Sequence, residues 1–141
     1  MNITKALKQK NKLVKEINEL SQQIAQNNSY NIERVPIHNS YNDLMLLESK
    51  IDDLVELKRK IQVANNPIVG KIYKIAELKG LVQRLKYINT KDGRFRVSEN
   101  VYDEFQASIN EVIKEKRIKK YEEEIENLQE EIESFNAITN I

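Results

Sequence analysis

The chain contains no cysteine and no tryptophan, one histidine, two prolines and three glycines. Each scarcity excludes something. Without cysteine there is no disulfide frame, no thiol nucleophile and no thiolate metal site. The one histidine, His38, cannot supply a di-iron bundle, which needs a Glu-x-x-His on each of two helices. Any Ser-His-Asp constellation would have to use His38, which lies off the helical seams and is given no role. The glycines are isolated, so no Gly-rich phosphate loop exists. The longest aliphatic run, Leu44 to Leu47, is far short of the roughly 18 residues a spanning helix needs. The first residues carry a charge every few positions and no apolar core, unlike a signal peptide. The expectation is a soluble, cytoplasmic, non-enzymatic chain without metal or cofactor.

What is abundant is charge, at 32% of 141 residues with a net charge of +1. Lys, Glu, Leu and Ile dominate, a mixture that suits long helices. One domain is the natural expectation at this length. The fold class expected is all-α: an antiparallel helical bundle or coiled coil with one long C-terminal helix and a short β-hairpin near residues 87–97. Charge is segregated locally. Lys5, Lys8, Lys10, Lys12 and Lys15 precede any carboxylate, whereas Glu122 to Glu133 form an acidic block.

The last helix is expected from Ser98 to Phe135, which at 1.5 Å per residue would be about 57 Å long. Its seam residues, Tyr121, Ile125, Leu128, Ile132 and Phe135, alternate in steps of four and three, the spacing of a coiled coil that seeks a partner helix. Tyr102, Phe105, Ile109 and Val112 start the seam further upstream. Three other helices are expected. Residues 3–26 carry Ala6, Leu13, Ile17, Leu20 and Ile24, with Leu7 and Val14 widening the stripe. Residues 41–64 follow, capped by Asn39 or Ser40, with a seam of Leu44, Leu47, Ile51, Leu54 and Ile61 that Val55 and Leu57 broaden. Residues 71–88 carry Ile72, Ile75, Leu78, Val82 and Leu85, and Gly80 there is read as allowing a neighbouring backbone to approach closely. Between the first two helices, an arm at 28–40 alternates Tyr30 with Ile32 and Val35 with Ile37, as an extended docking segment would. Thr90-Lys91-Asp92-Gly93 is a turn signal, and Arg94 to Val97 alternates with the period of a strand.

Three sets of residues are candidate sites. Arg94, Phe95 and Arg96 combine cations with an aromatic, and with Arg84 could meet the phosphates of a small anionic ligand such as a nucleotide. Strand alternation accounts for the same residues by placing Phe95 and Val97 inward, so nucleic acid is not the expected partner. Leu20-x3-Ile24-x3-Asn28, Leu57-x3-Ile61-x3-Asn65 and Leu128-x3-Ile132-x3-Asn136 close three helices alike. Left-handed Asn capping explains this; the alternative is that Asn65 and Asn136 turn inward towards a partner chain or ligand. The third set is the oligomer seam itself, with the N-terminal lysines and C-terminal glutamates set to flank it.

Met1-Asn2-Ile3-x-Lys5-Ala6-Leu7, Leu13-x3-Ile17, the Asn-rich break with Pro36, Leu57-x3-Ile61-x3-Asn65 and the closing Phe135-Asn136-x2-Thr139-x-Ile141 resemble a small bacterial all-helical family of unknown function, some of whose members carry the label septicolysin. Members similar to this chain often have Trp after the final Asn, where Ala137 stands here. The resemblance implies an all-helical oligomer and offers no catalytic residues. The functional expectation is a helical oligomerisation or interaction protein, with a homodimer favoured. The alternatives are a binder that sequesters a small anionic ligand between helices or protomers, and a membrane-active, cytolysin-like protein.

Overall fold

The computed structural model describes residues 1–141. The chain is mostly helical, in the order α1 (Ile3–Asn27), α2 (Ser40–Asn65), a 3-10 turn (Asn66–Ile68), α3 (Val69–Lys86), β1 (Gly93–Ser98), β2 (Val101–Phe105) and α4 (Glu111–Ile138). It divides into two compact units, Met1–Pro67 with Glu133–Ile141, and Ile68–Ile132.

In the first unit, α1 buries Ile3, Ala6, Leu13 and Leu20, a row that recurs every seven residues after its first step. Facing it, α2 presents Leu47, Leu54 and Ile61, also seven apart, with Ile61 buried and the other two half-buried. The two helices run in opposite directions. Glu16 meets Lys50 at 2.7 Å, and Met1 lies by Asp53, Glu56, Leu57 and Lys60 near the far end of α2. Asn39 starts α2, its side chain accepting from the backbone N–H groups of Tyr41 and Asn42.

The N-terminal residues are fastened to the end of α4 in the same unit. Ile3 N–H donates to Thr139 O at 2.9 Å, and Ile141 N–H donates to Met1 O at 3.1 Å, giving an antiparallel bridge between Asn2 and Asn140. The Asn2 side chain serves both helices: Oδ1 accepts from Lys5 N–H at 2.8 Å to cap α1, and Nδ2 donates to Ala137 O at 3.1 Å. It therefore satisfies one orphan donor at a helix start and one orphan acceptor at a helix end.

In the second unit, Leu78 and Val82 of α3 pack with Ile125 of α4, joined by Ile75, Leu81, Ile118, Tyr121 and Leu128. Lys71–Glu131 at 2.9 Å and Lys86–Glu122 at 3.9 Å set an antiparallel order. Lys114 Nζ donates to Lys86 O and Ile88 O, each at 3.1 Å, placing a cation on the carbonyls that α3 leaves unpaired. Between α3 and α4 stands the β1–β2 hairpin. Its base is closed by the Ala107 N–H donating to Asp92 Oδ2 at 3.4 Å and by a bond from Thr90 Oγ1 to the Glu111 carboxylate.

Several expectations are corrected. The last helix starts at Glu111 and not at Ser98, and its 28 residues span about 42 Å. Asn110 opens it, accepting from Ile113 N–H at 2.8 Å. Tyr102 and Phe105 belong to β2, because Asn100 takes a left-handed conformation at φ 59° and turns the chain back along β1. Thr90–Gly93 thus leads into β1 and is not the hairpin's own turn. Asn caps are not left-handed either: Asn28 and Asn66 are right-handed at the ends of α1 and α2. Nor does the 28–40 arm lie against the chain or pair with the hairpin; Ile32 is 87% and Ile37 97% exposed. The space at Gly80 is taken by the Arg84 guanidinium, 3.5 Å from where a Cβ would stand, and not by a backbone. Two of the N-terminal lysines, Lys12 and Lys15, pair with Glu16 and Glu19 one turn along α1.

Asn2→Ala is expected to lower unfolding stability by about 1–2 kcal/mol, and Asn2→Ser, which keeps the cap but cannot span to Ala137, by roughly half that; urea denaturation distinguishes them. The Lys50 ammonium, hydrogen-bonded to Glu16, holds that carboxyl below its usual value of 4.5. A lowered folded-state pKa means a contribution fully present above 4.5 and lost as pH falls through the lower folded value. Glu16→Gln should therefore flatten the stability profile as pH falls below 4.5 and leave its alkaline side unchanged, which melting curves across pH will show.

Candidate functional site

The three candidate arginines are not brought together. Arg94 and Arg96 project from one face of the hairpin with Tyr102 and Glu104, since cross-strand partners share a face. The Arg94 guanidinium sits over the Tyr102 ring at 5.1 Å, and Arg96 Nε donates to Ser98 O at 3.3 Å. Arg84, on α3, lies over Gly80. Each cation is engaged locally and no contact links the three.

Phe95 is on the opposite hairpin face, as strand alternation requires, but that face is not a core. Phe95 is 39% exposed and meets Phe105 edge-on at 6.1 Å. Lys91 Nζ lies 5.0 and 4.8 Å from the two ring centroids. The hairpin thus pairs its own cations with its own aromatics. Such contacts are worth about 0.5–1 kcal/mol each when exposed.

Asn65 and Asn136 do turn inward. Each Oδ1 is buried without a hydrogen-bond partner, as is Ser40 Oγ. Both asparagines lie within the last turn of their helices, Asn65 at the end of α2 and Asn136 near the end of α4. An orphaned buried acceptor costs about 1–3 kcal/mol.

The C-terminal seam is covered more than expected. Ile125 is buried, and Tyr121 and Leu128 are half-buried, against Leu78 and Val82 of the same chain. Ile132 and Phe135 are half-buried as well. The stripe that lacks a partner lies elsewhere, on α2. Leu44, Ile51 and Val55 are 39%, 43% and 62% exposed; their spacings of seven and four put them on one face, about a quarter turn from the row that meets α1. The sequence signal was present, but Leu44 and Ile51 were read into the same seam as Leu47, Leu54 and Ile61.

Besides the cleft of about 390 Å³ beside Met1 and Ile141, two others were not foreseen. One, of about 270 Å³, is lined by Leu85, Ile109, Ile113, Lys114, Arg117 and Tyr121; Lys114 is already committed to the α3 carbonyls. The other, of about 290 Å³, lies among residues 27–41 and includes Tyr30, His38 and Tyr41. Neither gathers an acid–base pair or a nucleophile with its base, and no cluster of three or more acidic or histidine side chains is placed to hold a metal. No helix is long and apolar enough to cross a membrane. No protein-family model, no curated protein and no solved structure matches the chain.

Replacing Asn65 by Leu removes the orphaned oxygen while keeping the side-chain size, and is expected to raise stability by about 1 kcal/mol. A drop in the urea midpoint would mean that this oxygen is satisfied by a group outside the chain.

Proposed function

We propose that this is a non-enzymatic protein that works by self-association, its helices completed into a bundle by a second copy. The observation that supports it is the state of α2. Of its 26 residues one, Ile61, is buried, while Leu44, Met45, Ile51, Val55 and Val63 stand exposed in an otherwise helical unit. A helix with apolar residues beyond the face it already buries is built to be covered on more than one side. The connection before α2 adds Ile32, Val35 and Ile37, all open to solvent. The family resemblance carries the same expectation of an all-helical oligomer.

The small-anion reading is supported less well, because its arginines are dispersed and each is engaged by its own surroundings. Static light scattering after gel filtration tests the leading reading. A mass near twice the 16.6 kDa chain mass, falling towards the chain mass on dilution, is expected. A single species at the chain mass across the whole concentration range would end it.

A further inference from the structure

The exposed stripe on α2 carries more than apolar residues, and its order selects a partner. Reading along one face in steps of four and three, residues 44, 48, 51, 55, 58 and 62 are Leu, Glu, Ile, Val, Lys and Gln. Reversed, the row becomes Gln, Lys, Val, Ile, Glu and Leu. Laid antiparallel on a copy of itself, with Ile51 opposite Val55 of the copy, each position meets a complementary one. Ile51 meets Val55, Glu48 meets Lys58, and Leu44 meets the aliphatic stem of Gln62. Each match occurs twice, as a two-fold axis requires.

The parallel alternative fails on charge. In register, it would stack Glu48 on Glu48 and Lys58 on Lys58 within the apolar row, and like charges in close contact are destabilising. Charge along the whole helix agrees. Asp43, Glu48, Asp52, Asp53 and Glu56 occupy its first two-thirds, and Lys58, Arg59 and Lys60 its last third. Lys50, the cation among the acids, is held by Glu16 of α1, and Arg59 is held by Glu56. Glu48 and Lys58 have no ion-pair partner in their own chain; Glu48 sits in the row between Leu44 and Ile51, and Lys58 next to Val55. A carboxylate and an ammonium left unpaired within an exposed apolar stripe, at mirror positions, are what an antiparallel self-pairing would use.

We infer that the free face of α2 is a homodimer interface, in which α2 packs antiparallel on α2 of a second copy about a two-fold axis, with Ile51 against Val55 and Glu48 against Lys58. The inference rests on the self-association proposed above and adds its surface, direction and register. The side of α2 that meets α1 and the residues beside Met1 and Ile141 are elsewhere on the helix, so both copies keep their own hydrophobic contacts.

Charge reversal tests it in the full-length chain. Glu48→Lys and Lys58→Glu are each expected to weaken the dimer about tenfold or more, as removal of a paired interfacial charge does. The double variant E48K/K58E should recover to within about threefold of the parent, because the pair is re-formed with its signs exchanged. Dissociation constants come from sedimentation equilibrium, with circular dichroism confirming unchanged helix content. Ile51→Asp, at the centre, should leave monomer alone. If the parent dimerises but none of these variants shifts its dissociation constant, the interface lies elsewhere and self-association stands. Weakening by both single changes without recovery in the double variant would overturn the register. A parent chain that is monomeric throughout would overturn both.

Discussion

The first unit depends on the fastening of residues 1–3 to residues 137–141. Closing an unstructured chain of that length costs about 4 kcal/mol of entropy. Three hydrogen bonds, Ile3 to Thr139, Ile141 to Met1 and Asn2 to Ala137, return roughly 1 kcal/mol each. The full burial of Ile3 adds about 2 kcal/mol and carries the sum past break-even. Neither contribution suffices alone. Polar and apolar parts must form together, and Asn2 couples them because the same side chain that starts α1 holds the last turn of α4. The end of α4 joins the first unit through this contact, while the rest of that helix packs in the second.

Helices α1, α2 and α3 were legible to within about two residues, because their apolar residues repeat at helical spacing and their starts and stops are marked by Asn39 and Asn65-Asn66-Pro67. Residues 98–110 were not. Tyr102, Phe105 and Ile109 keep steps of three and four, which extends a helical pattern backwards from α4, yet the same stretch is rich in residues that favour strands. What decided it was a long-range feature invisible to periodicity, the ladder of β1 on β2 through Phe95–Asp103 and Arg96–Tyr102, made reachable by one left-handed residue, Asn100. The Asn rule failed at helix ends and held in the hairpin turn. After Asn66 the chain continues through a short 3-10 turn straight into α3, so no left-handed reversal is needed there.

The candidate site shows the same division. A stripe in a sequence says that a face wants covering and leaves open what covers it. The stripe from Tyr121 to Leu128 was assigned to another copy, but α3 supplies Leu78 and Val82 within the chain. On α2 the error ran the other way. Leu44, Leu47, Ile51 and Leu54 looked like one broad seam, and the structure splits it into a row that meets α1 and a row left partly exposed. Width was the legible quantity; its partition between two neighbours was not, because that depends on where α1 ends up. The arginines find local partners for a related reason. Arg94 and Arg96 are close in sequence, but a cation beside an aromatic on an exposed ribbon finds its nearest partner in that ribbon, as Arg94 does in Tyr102.

The charges follow from this packing. The ion pairs that form are local, along α1 in Lys12–Glu16 and Lys15–Glu19 or across an antiparallel pair in Lys50–Glu16, Lys71–Glu131 and Lys86–Glu122. Exposed pairs of this kind add little stability, typically under 1 kcal/mol, yet the three that join two helices disfavour a shifted alignment of them. Glu48 and Lys58 are different because they interrupt an apolar row. A row of Leu, Ile and Val throughout would bind more tightly and less selectively, sliding or reversing at little cost. Two opposite charges set symmetrically about its middle give up some of that affinity and leave one direction and one register in which neither is stranded. In the dimer proposed above, that trade is what would hold the face of α2 on its copy in one direction and one register.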